Sequence, residues 1–436
     1  MPEFLTLLPP DQARDELLSH LPPPTIDSES VDVIHTLGRF TASDIFAPHP
    51  LPDFPRTTVD GFAVRAKDTF GASDSLPAYL TLIGEVPMGD TPLFEIGAGQ
   101  CALIHTGGML PNGADAAVMV EYTQHIAGAE SPRPGVMNKM GRDNLAPAQI
   151  EIEIFKSVAD GENIIHIGED VAENQLVIPK GTQIRPAEIG GLMALGFTSI
   201  HVAKKTRVGL ISTGDEVIDP SQTPRPGQVR DINSYTLGAL VEKSGGEAIR
   251  YGIFSDQFSA LKEAAAQALS ECDMLIITAG SSASTRDMTA DVIRTLGEPG
   301  VLVHGINTRP GKPTILGVCN GKAVIGLPGN PVSALVNGYL FVVPVIEKCL
   351  GALPKPKATV MAKLTVNLSS QAGREDWWPV KLVNSDPSSV VSYLAEPIFG
   401  KSNLIFTLAS ADGLLRIHPD ATGLSAGELV EVILIL

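Results

Sequence analysis

A short loop that combines two cations with proline and glycine is well suited to binding an anion. It reads Arg309-Pro310-Gly311-Lys312-Pro313. The two prolines fix their backbone torsions and so stiffen the loop. Guanidinium and ammonium groups bind phosphate and other oxyanions through charge-assisted hydrogen bonds. The composition therefore predicts a site for a phosphate-bearing ligand that uses Arg309 and Lys312.

Two strand-turn-helix units flank this loop in the sequence. The first runs from the apolar residues 274–278 through a serine-rich turn into a helix that begins near Ser284. The second runs from residues 323–327 through a Pro-Gly turn into a helix that begins at Asn330. Helix N-termini present unpaired N–H groups that bind anions. The residues expected to contact the ligand at these two turns are Gly280, Ser281, Ser282, Ser284, Pro328, Asn330 and Pro331.

The serine-rich turn is not a Walker A loop, because GxxxxGK[ST] is absent, and no GxGxxG occurs either. A solvated loop is the alternative interpretation of these serines. Their position between a buried strand and a helix N-terminus favours ligand binding.

Carboxylates follow the predicted strands of the same region. Asp215 and Glu216 come after the strand predicted over residues 207–211, RVGLI. Asp256 closes the strand predicted over residues 248–253, and Asp287 lies just inside the helix after the serine-rich turn. Like charges gathered at one edge repel each other unless a cation is bound among them. Carboxylate oxygens are ligands that Mg²⁺ prefers. We therefore predict a magnesium site formed by Asp215, Glu216, Asp256 and Asp287, with Asp231 as a further carboxylate and with Thr213, Gly214 and Asp215 contacting the substrate.

Strands and helices alternate from residue 207 to residue 350, which indicates a doubly wound α/β domain. In this fold the parallel strands end at one edge of the sheet, and ligands bind there. The cationic loop, the serine-rich turn and the carboxylates are therefore expected to meet at that edge.

Three polar turns outside this domain are further candidates for function. Asp60 begins an Asp-Gly pair ahead of an apolar run, Thr106 precedes two glycines, and Asp170 ends the acidic turn of residues 168–170. The Thr106 hydroxyl beside two glycines can approach a phosphate or another oxyanion closely, because glycine has no side chain to block it. The carboxylates of the acidic turn can bind a metal or a hydroxyl. Ordinary turns are the alternative interpretation of all three, since Asp-Gly pairs and acidic turns are common.

Two β-rich segments lie on either side of the α/β domain in the sequence. Residues 78–120 alternate short apolar runs with glycine and proline turns, which predicts a small barrel or half-barrel. After residue 350 the spacing of apolar runs predicts a C-terminal β-barrel. Its six expected strands cover residues 359–368, 376–383, 390–395, 405–409, 414–418 and 428–436. The only two tryptophans, Trp377 and Trp378, are expected to pack in this barrel and not to bind a ligand.

Composition narrows the class of protein. A chain of 436 residues exceeds one hydrophobic core, so about two to four domains are expected. The formal net charge of -17 disfavours nucleic acid and anionic membrane surfaces as partners. The four cysteines are widely spaced without a CxxC pair, which favours a reducing cytoplasm and no structural zinc. The N-terminus has no signal-peptide pattern and no segment approaches about 20 apolar residues, so no membrane span is expected.

The order of these motifs resembles one known family. The segments TTVDGFAV, HTGGMLPNGADAAVMVEY, GEDV, RVGLISTGDEVI, TAGSSASTRD, RPGKP and LPGNPVSA follow one another as in the molybdopterin molybdenumtransferases, the MoeA and gephyrin E-domain family. The resemblance covers nearly the whole chain. It implies a cytoplasmic enzyme that inserts molybdate into adenylylated molybdopterin and releases AMP with the help of Mg²⁺. A molybdopterin adenylyltransferase, which would supply the activated pterin, is a candidate partner.

The resemblance also implies a multidomain α/β plus β fold in an elongated homodimer. An N-terminal linker domain would be discontinuous, over residues 1–47 and 146–182, and a β-rich inserted domain would occupy residues 48–145. A doubly wound α/β/α molybdopterin-binding domain would span residues 183–351, and a C-terminal β-barrel residues 352–436. The active cleft would lie between the α/β domain of one subunit and the second domain of the other.

The family motifs also mark functional positions in this chain. The matched positions are Asp60, Thr106, Asp170, Glu216, Asp256, Asp287, Arg309, Pro328 and Pro331, with Lys312 beside them in the same loop. The first six of these are implied to be catalytic. The serine-rich turn departs from the family, which usually has a GGVSVG-like loop there, and Gly305 lies near the place of a lysine that is common upstream of RPGKP.

Three other functions stay open on the sequence alone. One is a carrier or sensor that binds a pterin or nucleotide without inserting metal. Another is the molybdopterin adenylyltransferase itself, because its domain shares this fold type and fold does not decide function. The third is a dimeric scaffold, although the acidic strand ends would then lack a purpose.

Overall fold

The structure of the chain is a computed structural model that describes residues 7–126, 150–279, 283–385 and 391–435, with only the backbone described for residues 283–287. The chain forms two compact units. The larger unit consists of Met1–Ser43, Pro179–Gly190 and Thr198–Leu436, and the smaller unit of Asp44–Ile178 and Gly191–Phe197. The chain therefore passes from the larger unit into the smaller one twice and returns each time.

A six-stranded sheet forms the centre of the larger unit. In spatial order its strands are Gly246–Phe254, Thr206–Thr213, Met274–Ala279, Lys322–Pro328, Ile315–Cys319 and Pro299–His304. The first four are parallel to one another, and the last two are antiparallel to their neighbours. The helices of this layer are Asn233–Lys243, Phe258–Glu271, Ala283–Thr295 and a continuous helical run made of Pro331–Asn337, Gly338–Val342 and Val343–Cys349.

Helices cover both faces of this sheet, because its central strands are apolar on both. Met274 and Ile276 belong to one hydrophobic core, whereas Leu275 and Ile277 belong to another. Successive residues of a strand point to opposite faces of the sheet, which explains why these four residues divide between two cores. The predicted doubly wound α/β domain is confirmed.

The C-terminal part of the larger unit is a closed five-stranded β-barrel. Its strands are Thr359–Leu364, Glu375–Asn384, Tyr393–Pro397, Gly413–Ile417 and Leu429–Leu434. Glu375–Asn384 pairs on one side with Tyr393–Pro397 and on the other with Gly413–Ile417, and this closes the barrel. Apolar side chains such as Val380, Leu415 and Val432 fill its interior. The predicted C-terminal barrel is confirmed.

The strand that the sequence predicts over residues 405–409 is wrong. These residues form the short helix Ile405–Ala409. Leu408 is the buried residue of this helix, and Phe406 is 80% exposed. In a barrel strand every second side chain points into the interior. Only Leu408 of this segment is buried, so the segment does not line the barrel interior.

A second six-stranded sheet is the centre of the smaller unit. In spatial order its strands are Ala116–Met119, Gly61–Val64, Gln100–Ile104, Ala78–Val86, Glu151–Ile154 and Thr123–His125. Neighbours are antiparallel except for the parallel pair Gln100–Ile104 and Ala78–Val86. Phe62 and Leu80 lie in its core. The expected β-rich structure is confirmed. Ala116–Met119 and Thr123–His125 are the two edge strands, so the described residues form an open sheet and not a closed barrel.

Short elements complete the two units. They are the helices Pro10–Ser19 and Pro186–Ala194, the 3-10 turns Val33–His35, Ala66–Thr69 and Val120–Tyr122, the strand Thr308–Arg309, and the paired strands Ser28–Asp32 with Ser199–Ala203, Ile45–Phe46 with Leu176–Ile178, Arg56–Thr57 with Ile164–Ile165, Val217–Ile218 with Val229–Arg230, and Leu368–Ser369 with Gly423–Leu424.

One helical run is longer and more apolar than the sequence analysis expected. Pro331–Cys349 contains 19 residues, with a mean hydropathy of 1.4, and is long and apolar enough to cross a membrane by length and composition alone. The expectation that no segment approaches this length is therefore wrong. However, 61% of the apolar window is buried inside the protein, and the buried core helix of a soluble domain meets the same criterion. Phe341 and Val345, for example, are part of the α/β core.

Replacement of Phe341 by alanine is expected to lower the free energy of unfolding of the larger unit by about 3–5 kcal/mol. The ring is fully buried, so its removal leaves a cavity. Phe406→Ala, the control, removes an exposed ring and should change the same quantity by less than about 0.5 kcal/mol. Urea denaturation followed by circular dichroism measures both. Equal effects would contradict the burial of the helical run.

Candidate functional site

Parallel pairing brings the ends of four strands to one edge of the α/β sheet. Thr213 lies opposite Phe254, and Ala279 lies opposite Pro328. The strands that end at Thr213 and Ala279 are themselves neighbours. The chain segments that leave the sheet after these four residues carry most of the predicted site residues.

A cleft of about 670 Å³ opens at this edge, and we name it the strand-edge cleft. Its polar lining includes Ser212, Thr213, Glu216, Asp231, Asn233 and Asn330, and Pro331 borders it as well. Clefts of roughly 300–1,000 Å³ hold small-molecule ligands in other proteins. The strand-edge cleft thus has the size and polarity of a ligand site.

Gly214 allows the turn that carries Glu216 to fold back tightly. A Cβ atom at Gly214 would lie 2.8 Å from a Glu216 carboxylate oxygen and 2.9 Å from the Val217 side chain, so a larger residue would displace these two side chains. Glu216 is half-buried. The buried Thr213 hydroxyl donates a hydrogen bond to the carbonyl of Thr278 at 3.3 Å, which ties together two neighbouring strand ends.

Asp215 and Asp256 lie side by side beyond the ends of two paired strands. The Asp256 amide donates a hydrogen bond to Asp215 Oδ1 at 3.3 Å. Asp215 is exposed and Asp256 is half-buried. The structure therefore brings these two carboxylate-bearing residues together, whereas Glu216 borders the strand-edge cleft.

The four-carboxylate magnesium site stays a prediction. Among the side chains that the structure describes, no three His, Cys, Asp or Glu residues come together as a metal site. Asp287 and Ser284 lie on the helix Ala283–Thr295, but only their backbone is described. Gly280, Ser281 and Ser282 lie outside the described residues.

Asp231, which the sequence places with the other carboxylates at this edge, is held by internal hydrogen bonds. Its carboxylate accepts hydrogen bonds from the Ser212 hydroxyl at 2.8 Å and the Ser234 hydroxyl at 2.6 Å. It also accepts one from the Ser234 amide at 3.2 Å, in the first turn of the helix Asn233–Lys243. These donors compensate the charge of the buried Asp231 without a bound cation.

A second cavity, of about 700 Å³, lies between the α/β layer and the barrel, and we name it the cationic cavity. Four cations line it, namely Arg309, Lys312, Arg374 and Lys401. Pro328, Trp377 and Trp378 also form part of its wall. The protein as a whole is acidic, so this concentration of positive charge marks a local site for anions.

Asp376 is a buried carboxylate that holds two of these cations, Arg374 and Arg309, in position. Its side chain is 1% exposed, and it accepts hydrogen bonds from Arg374 Nε at 2.6 Å and Arg374 Nη2 at 2.9 Å. Arg309 Nη1 lies 3.8 Å from Asp376 Oδ2. The Arg309 guanidinium also lies over the Trp378 ring, 5.4 Å from its centroid. Arg374 and Arg309 are thus held in place while 56% of the Arg309 side chain stays exposed to a ligand.

The loop that carries Arg309 is fastened to both the barrel and the helical run. Strand Thr308–Arg309 pairs in parallel with Glu375 and Asp376 of the barrel. At Gly311, where φ is +105°, a Cβ atom would lie 1.7 Å from Asn337 Nδ2, so the close approach requires glycine. Asn337 Nδ2 donates a hydrogen bond to the Pro310 carbonyl at 3.2 Å. Lys312 is exposed beyond this anchor.

The sequence analysis did not identify Arg374 and Lys401 as site residues, and it assigned both tryptophans a packing role only. Trp377 is buried and its Nε1 donates to Glu375 at 2.7 Å, whereas Trp378 is half-buried and lies under Arg309. A signal for the missed cations was present in the sequence. Arg374 and Lys401 each follow a glycine directly, as Lys312 does.

The two cavities adjoin each other. Asn330 and Asn403 line both of them. Asn330 precedes the helical run, and its side chain makes no capping hydrogen bond to that helix. A ligand that fills the strand-edge cleft can therefore extend past these two amides into the cationic cavity.

In the smaller unit, Asp60 and Thr106 are in direct contact. The Thr106 amide donates a hydrogen bond to Asp60 Oδ1 at 2.7 Å. This hydrogen bond lowers the pKa of Asp60, with a further contribution from the nearby His105. Gly61 is required next to Asp60, because a Cβ atom there would lie 1.9 Å from the Val118 carbonyl oxygen. The turn thus holds an ionised carboxylate beside a threonine hydroxyl.

Asp170 lies in an exposed turn of the same unit. The preceding Gly168 has φ +71°, and the Asp170 amide donates a hydrogen bond to the Leu51 carbonyl at 3.0 Å. The carboxylate of Asp170 is exposed. It is therefore accessible to a ligand, and its function stays a prediction.

Comparison with known proteins gives a consistent result along the chain. The family profile described as the MoeA N-terminal region (domain I and II) matches residues 8–196. The profile described as "Probable molybdopterin binding domain" matches residues 209–348, and that of the MoeA C-terminal region (domain IV) matches residues 361–435.

Individual relatives match over nearly their whole length. A Methanocaldococcus jannaschii protein described as "Putative molybdopterin biosynthesis protein" is 36% identical, over 93% of this chain and 92% of its own. The molybdopterin molybdenumtransferase of Haemophilus influenzae is 30% identical over 97% of each chain. The crystal structure of the molybdopterin biosynthesis MoeA protein from Pyrococcus horikoshii OT3 superimposes with a TM-score of 0.81 at 32% identity, covering 98% of this chain and 100% of that one.

The lowered pKa of Asp60 predicts a pH-dependent contribution to the stability of the smaller unit. Its value in the unfolded chain is about 3.9. Since the folded value is lower, the Thr106 hydrogen bond stabilises the fold above the unfolded pKa, and this stabilisation is lost as the pH falls through the folded value. Asp60→Asn should therefore be less stable than the wild type at pH 7, and the difference should vanish in acid. Thermal unfolding over a pH series measures this, and a pH-independent difference would contradict it.

The cationic cavity is expected to bind a tetrahedral dianion such as sulfate. The only two tryptophans line the cavity, so their fluorescence should report the binding. Arg374→Gln removes a charge-assisted hydrogen bond and should weaken binding by about tenfold. Arg294→Gln is the matched control, because Arg294 pairs with Asp291 on an exposed helix surface. Equal affinities of Arg374→Gln and wild type would show that the anion binds elsewhere.

Proposed function

Because the chain belongs to the molybdopterin molybdenumtransferase family, we propose that it inserts molybdate into adenylylated molybdopterin and releases AMP. The family acts in molybdenum cofactor biosynthesis, and the chain is an enzyme of that route. The identities of the two substrates, the release of AMP and the requirement for Mg²⁺ are the finer parts of the proposal.

The observation that carries the proposal is the pair of adjoining cavities. The cationic cavity is lined by four cations, as a site for an oxyanion requires. The strand-edge cleft is lined by polar and acidic residues at the ends of strands. The reaction needs both, because a tetrahedral metal oxyanion must meet a large substrate that carries a pyrophosphate. Asn330 and Asn403 belong to both walls, so the two substrates would be in contact there.

The four cations of the cationic cavity would bind the oxyanion substrate in this reaction. Arg309, Lys312, Arg374 and Lys401 would bind molybdate through charge-assisted hydrogen bonds. Arg374 presents a guanidinium whose orientation Asp376 fixes. Preorganised donors stabilise developing charge without the cost of reorientation during the reaction. The loop and the barrel would therefore hold the oxyanion while the pterin approaches from the strand-edge cleft.

The carboxylates at the sheet edge fit magnesium in their chemistry, since Asp215, Glu216 and Asp256 offer only oxygen donors. When bound there, Mg²⁺ would neutralise the pyrophosphate and polarise the bond that breaks. Asp215 is exposed and accepts a hydrogen bond from the amide of the half-buried Asp256, so the Asp215 carboxylate is accessible to a substrate at this edge. Asp287 is the fourth expected member of this set. Asp60, Thr106 and Asp170 of the smaller unit complete the expected catalytic residues.

Membership of the family also supports expectations about the assembly, location and partner of the enzyme. These are a homodimer, a cytoplasmic location and an adenylyltransferase that supplies the activated pterin. Membership also supports four domains with the boundaries that the sequence analysis gives. The net charge of -17 agrees with small anionic substrates that are bound locally and disfavours nucleic acid as a partner.

Purified protein supplied with adenylylated molybdopterin, molybdate and Mg²⁺ is expected to release AMP, measured by chromatography. Asp256→Ala should lower the rate on the order of a hundredfold, because it removes charge from the predicted metal site. Glu263→Ala is the matched control, since Glu263 is an exposed carboxylate on the helix Phe258–Glu271 of the same layer. An unchanged rate in Asp256→Ala would mean that the predicted metal site is misplaced.

The same assay separates the alternative functions. Tight binding of the adenylylated pterin without AMP release would contradict the transferase and favour a carrier or sensor. Consumption of ATP and free molybdopterin would identify an adenylyltransferase. Absence of both binding and turnover would leave the dimeric scaffold.

A further inference from the structure

Asn233 is a buried polar residue in the wall of the strand-edge cleft. It is the first residue of the helix Asn233–Lys243, its exposed fraction is 7%, and it lines the cleft together with Thr213 and Asn330. Buried asparagines normally have partners for both ends of the amide. The hydrogen bonds of Asn233 are therefore informative about what the cleft binds.

Only one end of the Asn233 amide is paired. Its Nδ2 donates a hydrogen bond to the Gly329 carbonyl at 2.8 Å. Because a carbonyl oxygen can only accept, this bond fixes the orientation of the amide. Oδ1 is buried and has no hydrogen-bond partner within the described part of the chain. An unsatisfied buried acceptor destabilises the protein unless another group donates to it.

Two other polar side chains of the cleft have hydrogen-bond partners inside the protein. Asp231 accepts from Ser212 and Ser234, and Thr213 donates to the Thr278 carbonyl. Asn233 Oδ1 differs from these two groups. A donor supplied by a ligand in the cleft would complete this set of hydrogen bonds.

We propose that Asn233 Oδ1 accepts a hydrogen bond from the exocyclic amino group of a heteroaromatic ring bound in the strand-edge cleft. This inference rests on the proposed function, whose substrate carries two such groups, the 2-amino group of the pterin and the 6-amino group of adenine. Asparagine reads the amino edge of adenine in other proteins, where its carbonyl oxygen accepts from that group. A ring with a carbonyl in place of the amino group would bring two acceptors together and be rejected. Asn233 is thus a specificity-determining residue.

Asn233 also has a structural role, through its bond to Gly329, so loss of binding in a variant would not be sufficient evidence. Matched ligand pairs separate the two roles. AMP and IMP differ at the 6-amino group, and pterin and lumazine differ at the 2-amino group. A structural defect weakens both members of a pair equally, whereas loss of recognition removes the preference for the amino member.

Isothermal titration of the full chain with these four ligands tests the proposal. In the wild type, one pair should show a preference of about tenfold or more for the amino member. Asn233→Ala should reduce that preference to near unity. Asn233→Asp keeps an acceptor oxygen for the ligand but sets its second oxygen against the Gly329 carbonyl, so it should bind both members of the pair more weakly and retain the preference. Thr36→Ala is the control and should keep the preference, because Thr36 is a buried polar residue of the larger unit whose hydroxyl donates to the Val33 carbonyl, outside the lining of both cavities.

The pair that shows the preference identifies the ring, with AMP over IMP indicating adenine and pterin over lumazine indicating the pterin. No preference in either pair, or a preference that persists in Asn233→Ala, would overturn the proposal. If Asn233→Ala does not fold, loss of the preference in Asn233→Asp would overturn it in the same way. AMP release in the transferase assay is independent of this result, so the proposed function can stand while this inference fails.

Discussion

Parallel pairing of four neighbouring strands is the constraint on which the rest of the site depends. It obliges the strands that end at Thr213, Phe254, Ala279 and Pro328 to leave the sheet at the same edge. Each segment that follows must turn sharply into a helix or loop, and the polar residues of those turns are brought together there. Asp215 and Asp256 meet in this way, although 41 residues separate them in the sequence.

The second constraint is the attachment of the cationic loop to the barrel. Residues 308 and 309 continue the barrel's hydrogen bonding as a short parallel strand. Asp376, buried in that same pairing, compensates the charges of Arg374 and Arg309. A buried carboxylate is stable only when it is paired, so the barrel and the loop depend on each other for their local order. An anion site made of several cations needs such a counter-charge, because the cations would otherwise repel each other when no ligand is bound.

Much of the architecture could be predicted from apolar periodicity. The apolar runs at 274–278 and 323–327 are buried on both faces, so they show the continuous hydrophobicity of central parallel strands. The barrel strands were also found by spacing, apart from residues 405–409. That segment has an apolar composition but buries only Leu408, and periodicity cannot distinguish a strand from a short helix over five residues.

The chemical types of the site follow from local residue order, and they are a rigid cationic loop, acidic strand ends and small polar turns. The family follows from the order of motifs over the whole chain. How these groups are used depends on tertiary contacts. Asp231 and Asp256 are similar as strand-end carboxylates. Asp231, however, is held by Ser212 of a sheet strand and Ser234 in the first turn of a helix, whereas Asp256 lies beside Asp215. Arg374 and Lys401 join Arg309 only because the barrel strand and its neighbouring loop pack against the cationic loop, and contacts between residues so distant in sequence leave no local pattern to read.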